Sequence, residues 1–468
     1  MPRSVLQHLA GWGLYPTEPC RVYRPAKLRE VRQLLNGCDG STYISRGLGR
    51  SYGDAALNRQ DACGGGGVIL HDQLDRLIAF DPQTNVLEAE AGLSFDTIID
   101  VFLRRGVFCP VTPGTKYVTL GGAIAADVHG KNQHRDGSIG SFIIDFELLT
   151  ASGEVLTCSR RQNPDVFWAT IGGMGLTGVI RSARLRMLPV ESAYLTIEYR
   201  RLANLDDLLD RLSEDDDRYR YSVAWIDCLA GGKSLGRSIL MRGDHTPVAD
   251  LSADLRNDPF AVPTRRKLAV PFFLPRFVLN PLSVKAFNAL YYARASGGGD
   301  KTAVVDYDSF FYPLDSIMNW NRMYGKRGFL QYQAALPPQS SRAGLIQLLE
   351  KLVASKRASF LAVLKTFGPG NDGLLSFPMA GHTLSLDLAN TGGELFGLLD
   401  ELDRIVVEHG GRVYLAKDAR MTRQTFEAMY PNTDAFGQVK SKVDPNGLFS
   451  SSLGRRLGLA PGPMERSG

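Results

Sequence analysis

The stretch SRGLGRSYGD, residues 45–54, sets three glycines, two arginines and a tyrosine within ten positions. Glycine tolerates positive φ, so Gly47, Gly49 and Gly53 could turn successive N–H groups toward one anion. Arg46 and Arg50 could add charge there, or pair with Asp54. The run lacks the GK[ST] ending of a P-loop and reads as a tight loop after the short strand STYISRG. A second glycine-rich stretch, PVTPGTKYVTLGGAIAADVHGKNQHRDGSIG (110–140), carries His129 and His134. Gly121-Gly122 before Ala-Ile-Ala-Ala reads as a helix start packed close against a flat or anionic ligand, with His129 and Lys131 one turn on. Most of DVHGKNQH is polar, so a histidine buried there calls for a role. Gly173–Gly178 spells GxGxxG, but helix-like DVFWATIGG precedes it and strand-like VIRSARLRML follows. That order is the reverse of a dinucleotide-binding βα turn. Lys417 beside Asp418 is either half of a surface ion pair or a group for chemistry.

The elements that must position these residues are short. KLREVRQLLN (27–36) has helical spacing, and GVIL, LIAFD and NVLEAEAG read as strands. SFDTIIDVFLRRG (94–106) is a helix with a serine cap and a terminal glycine. FIIDFELLTASGEVLTCS is a hairpin turning at Ser152-Gly153. Residues 1–190 therefore mix α and β without a βαβ rhythm. From 191 to 410, five strand-like runs (AYLTIEYR, YSVAWIDCL, FLQYQAALP, SFLAVLKTFG, HTLSLDLA) accompany the helices SRAGLIQLLEKLVAS and GELFGLLDELDRIVVEHG. An antiparallel sheet with helices on one face is expected. Within it, 258–300 is apolar but broken by prolines, and reads as a floppy insertion, a lid, or a loop that handles a greasy substrate or touches a membrane. From 411 loops and helices return.

The bulk numbers bound the answer. The 468 residues exceed one core and suit two or three domains. A net charge of +5 on scattered basic residues suits an anionic ligand or membrane surface rather than nucleic acid. The cysteines at 20, 38, 63, 109, 158 and 228 form no CxxC, so reduced thiols and no metal are expected. No stretch reads as a signal peptide or a transmembrane helix, so the expected place is the cytoplasm or the inner-membrane surface.

RGLGRSYGD, PGT…VTLGGAIAADVHGKN and GGMGLTGVI together resemble the FAD-binding domain of the vanillyl-alcohol-oxidase, or PCMH-type, flavoprotein family. FLQYQ, LKTFGP, LSFPMAGHTLSLD and YLAKDARMTRQTFEAMYP resemble, more narrowly, the oxidase subunits of decaprenylphosphoryl-β-D-ribose 2-epimerases. The resemblance runs from GWGLYP to VDPNGLFSS. It implies an α+β fold in which a two-part FAD-binding domain (1–190 and 411–468) flanks a substrate domain (191–410) with a flexible insertion at 258–300. It implies an oxidoreductase that takes the 2-hydroxyl of a polyprenyl-phosphoryl ribose to the 2-keto sugar, toward arabinan for a cell wall. A nicotinamide-dependent short-chain reductase would complete the epimerisation. Another sugar, alditol or nucleoside is the alternative substrate, and a flavin- or lipid-binding scaffold the non-catalytic one.

The same resemblance assigns residues. Gly47, Leu48, Gly49, Arg50 and Ser51, with Arg46, would wrap the FAD diphosphate, and Tyr52 would lie near the flavin. Gly114, Thr115, Thr119, Gly122, Ala125, His129 and Lys131 would line the cofactor. Gly175, Thr177, Gly178 and Ile180 would pass the adenosine end. Tyr414, Ala416 and Lys417 would reach the ring. Trp225, Gln331, Gln333, Lys365, Phe367, Thr383 and Ser385 would shape the substrate pocket. Lys417, His129 and Tyr52 are the catalytic candidates, Lys417 as base or cation. Relatives that bind FAD covalently do so through a histidine at the slot of Arg50, which implies non-covalent FAD here. The family's pocket cysteine and asparagine are Ser385 and Thr383 in this chain.

Overall fold

The computed structural model describes residues 3–37, 41–60, 66–263, 267–275, 280–294, 301–357, 359 and 361–460. The fold is α+β, built on three main sheets. The first runs in the order Ser4–Ala10, Thr17–Tyr23, Gly66–Leu70, Thr42–Arg46, with the last two strands parallel. Thr42–Arg46 delivers the chain directly into the glycine loop. The second sheet is antiparallel, in the order Leu77–Asp81, Val86–Glu90, Val179–Arg186, Ile143–Leu149, Val155–Ser159. Helix Phe95–Phe102 starts where Ser94 Oγ accepts the Thr97 amide, and Gly106 follows its last turn at φ 75°.

The third sheet has eight antiparallel strands, in the order Lys301–Asp306, Tyr194–Leu202, Ser238–His245, Tyr221–Ile226, Ala362–Phe367, Gly381–Ala389, Phe329–Leu336, Arg412–Val413. Strand side chains alternate between faces. In Phe329–Leu336, Leu330, Tyr332 and Ala334 join the core beneath helices Pro338–Ser355 and Gly393–Glu408, while Gln331 and Gln333 face the other way, into a cavity. The two-residue strand Arg412–Val413 pins the chain just before Tyr414 and Lys417.

The segment 258–300 is less irregular than its prolines suggest. It contains the helix Pro281–Arg294 and the strand Leu268–Ala269, which pairs with Ile317–Met318. Asn280 Oδ1 accepts the amides of Leu282 and Ser283, so Asn280-Pro281 is a helix start rather than a break. Residues 264–266, 276–279 and 295–300 of that segment lie outside the described residues. Among the described residues no helix is long and apolar enough to cross a membrane, and no His, Cys, Asp and Glu cluster could hold a metal. Cys20, Cys109, Cys158 and Cys228 are buried free thiols; Cys38 and Cys63 lie outside the described residues.

Candidate active site

A cavity of roughly 520 Å³ opens between the glycine-rich loops and the face of the eight-stranded sheet. Its first wall is main chain. Among the described residues, the amides of Gly47 through Ser51 donate to no protein acceptor, so five consecutive N–H groups border the cavity unspent. Of the three glycines, only Gly49 has positive φ, at 67°; Arg46 fills the space its side chain would take. Gly47 and Gly53 are glycines for a different reason: a Cβ would collide with the Thr119 side chain or the Asp418 carbonyl. The arginines do not pair with Asp54. Arg46 donates to the carbonyls of Ala10 (2.7 Å) and Ala56 (3.2 Å), and Arg50 donates to Tyr117 O and lies 4.1 Å from the centre of the Trp12 ring. Asp54 instead shares Arg456 with Asp418, at 2.7 and 2.8 Å.

The Gly121-Gly122 start of the second glycine stretch gives a helix of six residues, Leu120–Ala125, capped by Thr119. Gly121 is small because Ala91 packs on it. His129 and Lys131 therefore sit on the loop after the helix rather than on it. Asp127, at φ 41°, holds that loop: its carboxylate accepts from Ser138, Asn371, Ser376 and the Gly140 amide. Tyr414 adds a bond from its hydroxyl to Ala126 O at 2.8 Å and a tilted ring contact with His129.

His129 is the junction of the two walls. Its Nδ1 lies 3.1 Å from Lys365 Nζ and its Nε2 lies 3.0 Å from the Gln333 side-chain amide. Burial, then Lys365 and Lys417, hold its pKa well below the ordinary range, so the imidazole is neutral. Gln333 Nε2 also donates to Thr383 Oγ1, so its amide nitrogen faces the ring; His129 Nε2 accepts from it, and the ring proton sits on Nδ1, where neutral Lys365 accepts it. Burial brings Lys365 down to about 7. Lys131 is lowered to about 7 by burial and Lys365, and its ammonium sits over Phe310 and bonds to that residue's carbonyl.

Lys417 projects from the C-terminal return, its Nζ 3.8 Å from the centre of the Tyr52 ring. Burial lowers it to about 7, against the raising effect of Asp387, with Lys365 lowering it further. It is no surface partner of Asp418, which belongs to Arg456. The Tyr52 hydroxyl takes a bond from Gln331 at 3.3 Å, and burial pushes its pKa well up, so the phenol keeps its proton.

Most of the expected residues meet here. Leu48, Gly114, Thr115, Gly122 and Ala125 line the cavity, as do Gly175, Gly178, Ile180 and Ala416 from other segments. Trp225, Gln331, Gln333, Lys365 and Ser385 line it from the sheet. Four stand outside the lining. Arg46 props the loop from beneath, and Thr177 is spent on Thr170 at 2.9 Å. Phe367 packs edge-on to His129, and the Thr383 hydroxyl donates to Ala334 O. Sequence reasoning missed Trp12, held by the Ser51 carbonyl at 2.8 Å, and Asp315, which accepts from Thr115 and the Lys116 amide. It also missed an apolar branch lined by Tyr199, Met241, Tyr291 and Val305, although strand alternation signals three of the four.

Unspent amides of the first glycine loop, with Lys131 from the second glycine stretch, Lys365 from the sheet and Lys417 from the C-terminal return, suit a diphosphate and a further anion. Residues 19–159 match a family model described as an FAD binding domain, and residues 396–457 match one described as D-arabinono-1,4-lactone oxidase. The residues present fit FAD: the Gly47–Ser51 amides offer the diphosphate site, and Tyr52, Tyr414 and Lys417 surround room for a ring. The chain is 40% identical to decaprenylphosphoryl-β-D-ribose oxidase of Mycolicibacterium smegmatis, over 97% of this chain and 98% of that protein. It is 24% identical to L-gulonolactone oxidase of Mus musculus over 94% and 95% of the two chains. It is 28% identical to cytokinin dehydrogenase 2 of Arabidopsis thaliana over 36% and 33%. A cavity with unspent main-chain amides and three buried lysines, set in a chain this similar to an oxidase along its whole length, belongs to a member of the FAD-binding oxidase family that includes decaprenylphosphoryl-β-D-ribose oxidase.

Proposed function

We propose that this enzyme oxidises the 2-hydroxyl of a polyprenyl-phosphoryl-β-D-ribose to the ketone, the first half of a 2-epimerisation. One observation carries the reading. The cavity lining joins three lysines to the apolar side chains of Tyr199, Trp225, Met241, Tyr291 and Val305, and Tyr291, its ring centre 4.9 Å from that of Trp225, is also exposed at the surface. Lys131, Lys365 and Lys417 suit a sugar phosphate, and the branch past Trp225 and Met241 suits a prenyl tail.

Bound FAD supplies the hydride acceptor. Lys417 then takes or holds the hydroxyl proton: with its pKa near 7 it is amine above neutrality and ammonium below. Neutral His129 orients Lys365, and Gln333 fixes the other side of the ring. Tyr52, protonated, supports Lys417 rather than acting as a base. Residues 1–190 and 411–468 form the cofactor domain and 191–410 the substrate domain. FAD is held without a covalent bond, and a nicotinamide-dependent short-chain reductase consumes the keto product.

The helix Pro281–Arg294 presents Leu282, Phe287 and Leu290 to the outside, and Leu268, Phe272 and Met318 are exposed as well. This supports peripheral contact with the membrane that holds the lipid-linked substrate.

The test is anaerobic mixing with a short-prenyl phosphoryl ribose. Bleaching of the flavin is expected, and none overturns the reading. Equal rates on non-prenylated sugars would favour the other-sugar alternative. Acid precipitation should leave a yellow supernatant.

A further inference from the structure

Asp387 sits in the strand Gly381–Ala389, directly across from Gln331, and is fully buried. It lies just behind the cavity: Ser385, two residues earlier on the same face, lines the space, and Asp387 does not. Its Oδ1 accepts from Gln331 Nε2 at 2.5 Å. Its Oδ2 is buried with no hydrogen-bond partner among the described residues. The fold gains little from a buried charge that an uncharged side chain of the same size would spare it. The same Gln331 nitrogen lies 3.3 Å from the Tyr52 hydroxyl, and the Tyr52 ring carries the Lys417 ammonium. Carboxylate, amide, phenol and lysine thus form one run from the sheet interior to the cavity.

We propose that Asp387 is a positioning residue for the oxidation, a buried negative charge that holds Lys417 over the Tyr52 ring and sets whether it meets the substrate as ammonium or amine. This rests on the reading of Lys417 as the residue facing the reacting hydroxyl.

The charges acting on Lys417 are Asp387, which favours its ammonium, and Lys365, which opposes it; burial opposes it more than either is felt. Asp387, itself pushed up to about 7 by burial, answers to Gln331 and Lys417. Tyr52 and Tyr324 also feel its charge, and both stay protonated because burial pushes them well up. His129 is neutral. Removing the Asp387 charge leaves only influences that disfavour the ammonium, so Lys417 should release its proton at lower pH.

The experiment uses full-length, FAD-loaded protein labelled with 13C at lysine Cε, the Lys417 signal being assigned by its loss in Lys417→Met. In Asp387→Asn the Lys417 titration should fall by about one pH unit, and the flavin midpoint potential should drop because a nearby cation is lost. Asp387→Glu should return both toward the starting values, and Asp387→Ser provides a second uncharged variant in different packing. A Lys417 that titrates at its original pH in FAD-binding Asp387→Asn or Asp387→Ser overturns the proposal. So does loss of folding in both uncharged variants while Asp387→Glu folds, since that assigns the carboxylate to the scaffold. Failure to oxidise a polyprenyl-phosphoryl ribose would instead overturn the substrate reading, and leaves this titration as it stands.

Discussion

The wall formed by Gly47–Ser51 carries its polar groups on the main chain, whereas the facing sheet carries them on Gln331, Gln333, Lys365 and Ser385. The first wall is insensitive to side-chain identity and sensitive to volume: what matters at Gly47 and Gly53 is that nothing projects. The second is sensitive to chemistry. Its strands are fixed by core packing behind them, so side chains on the open face can vary without loss of the fold. A binding site that keeps one ligand constant and varies the other is well served by this division: backbone for the shared cofactor, replaceable side chains for the substrate.

The sharpest break of this contrast is Gly53→Ala. Its Cβ would run into the Asp418 backbone, so the protein should purify without FAD and without yellow colour, while Gly437→Ala, where nothing stands within 4 Å, should keep its flavin. Next comes Lys417→Met, which should retain FAD yet slow flavin reduction by about 10²–10⁴-fold in stopped-flow measurements. Wild-type reduction should accelerate as pH rises through about 7, because a lysine with its pKa lowered to there becomes an amine. Lys365→Met removes a like charge from Lys417, so this limb should move to higher pH, with KM for the phosphorylated substrate up about tenfold. Leu282→Asp with Leu290→Asp should cut co-sedimentation with anionic vesicles about tenfold and leave turnover of a short-prenyl substrate unchanged. The smallest effect is expected at Thr383→Val. Its hydroxyl lies behind the cavity, donating to Ala334 O and accepting from Gln333 Nε2 at 3.2 Å, and Gln333 keeps its bond to His129 without it, so kcat/KM should fall no more than about twofold and the thermal midpoint should fall by the equivalent of about 1 kcal/mol.

The glycine loops, the hairpin at Ser152-Gly153 and five of the eight strands of the large sheet were legible because their signals are local: turn glycines, caps and alternation; Ser238–His245, Lys301–Asp306 and Arg412–Val413 were not read. The reasons behind residues were less so. Gly47 and Gly53 looked like turn glycines and are close-approach glycines, because Thr119 and Asp418 reach them from elsewhere in the chain. Asp54 looked like a partner for the neighbouring arginines and belongs to Arg456, which no local pattern announces. The strands Ser4–Ala10 and Thr17–Tyr23 escaped notice because the first is mostly exposed and lacks an apolar alternation. The helix Pro281–Arg294 was masked by the prolines around it, although Asn280-Pro281 spells its start. Asp387 was readable in principle from its place two residues past Ser385, but a carboxylate there looks like an outward residue until both sheet faces are covered.

The ion triad Asp54–Arg456–Asp418 ties the beginning of the molecule to its last helix. A ribosome delivers the loop of Gly47–Ser51 well before Lys417 and Arg456. The nascent polypeptide can form its first two sheets while synthesis continues, but the flavin compartment has no Lys417 and no clasp until the segment carrying Lys417 and Arg456 has emerged. Loading of the cofactor is therefore a late maturation event, and a prematurely terminated product, however well its leading portion folds, emerges unable to retain its prosthetic group.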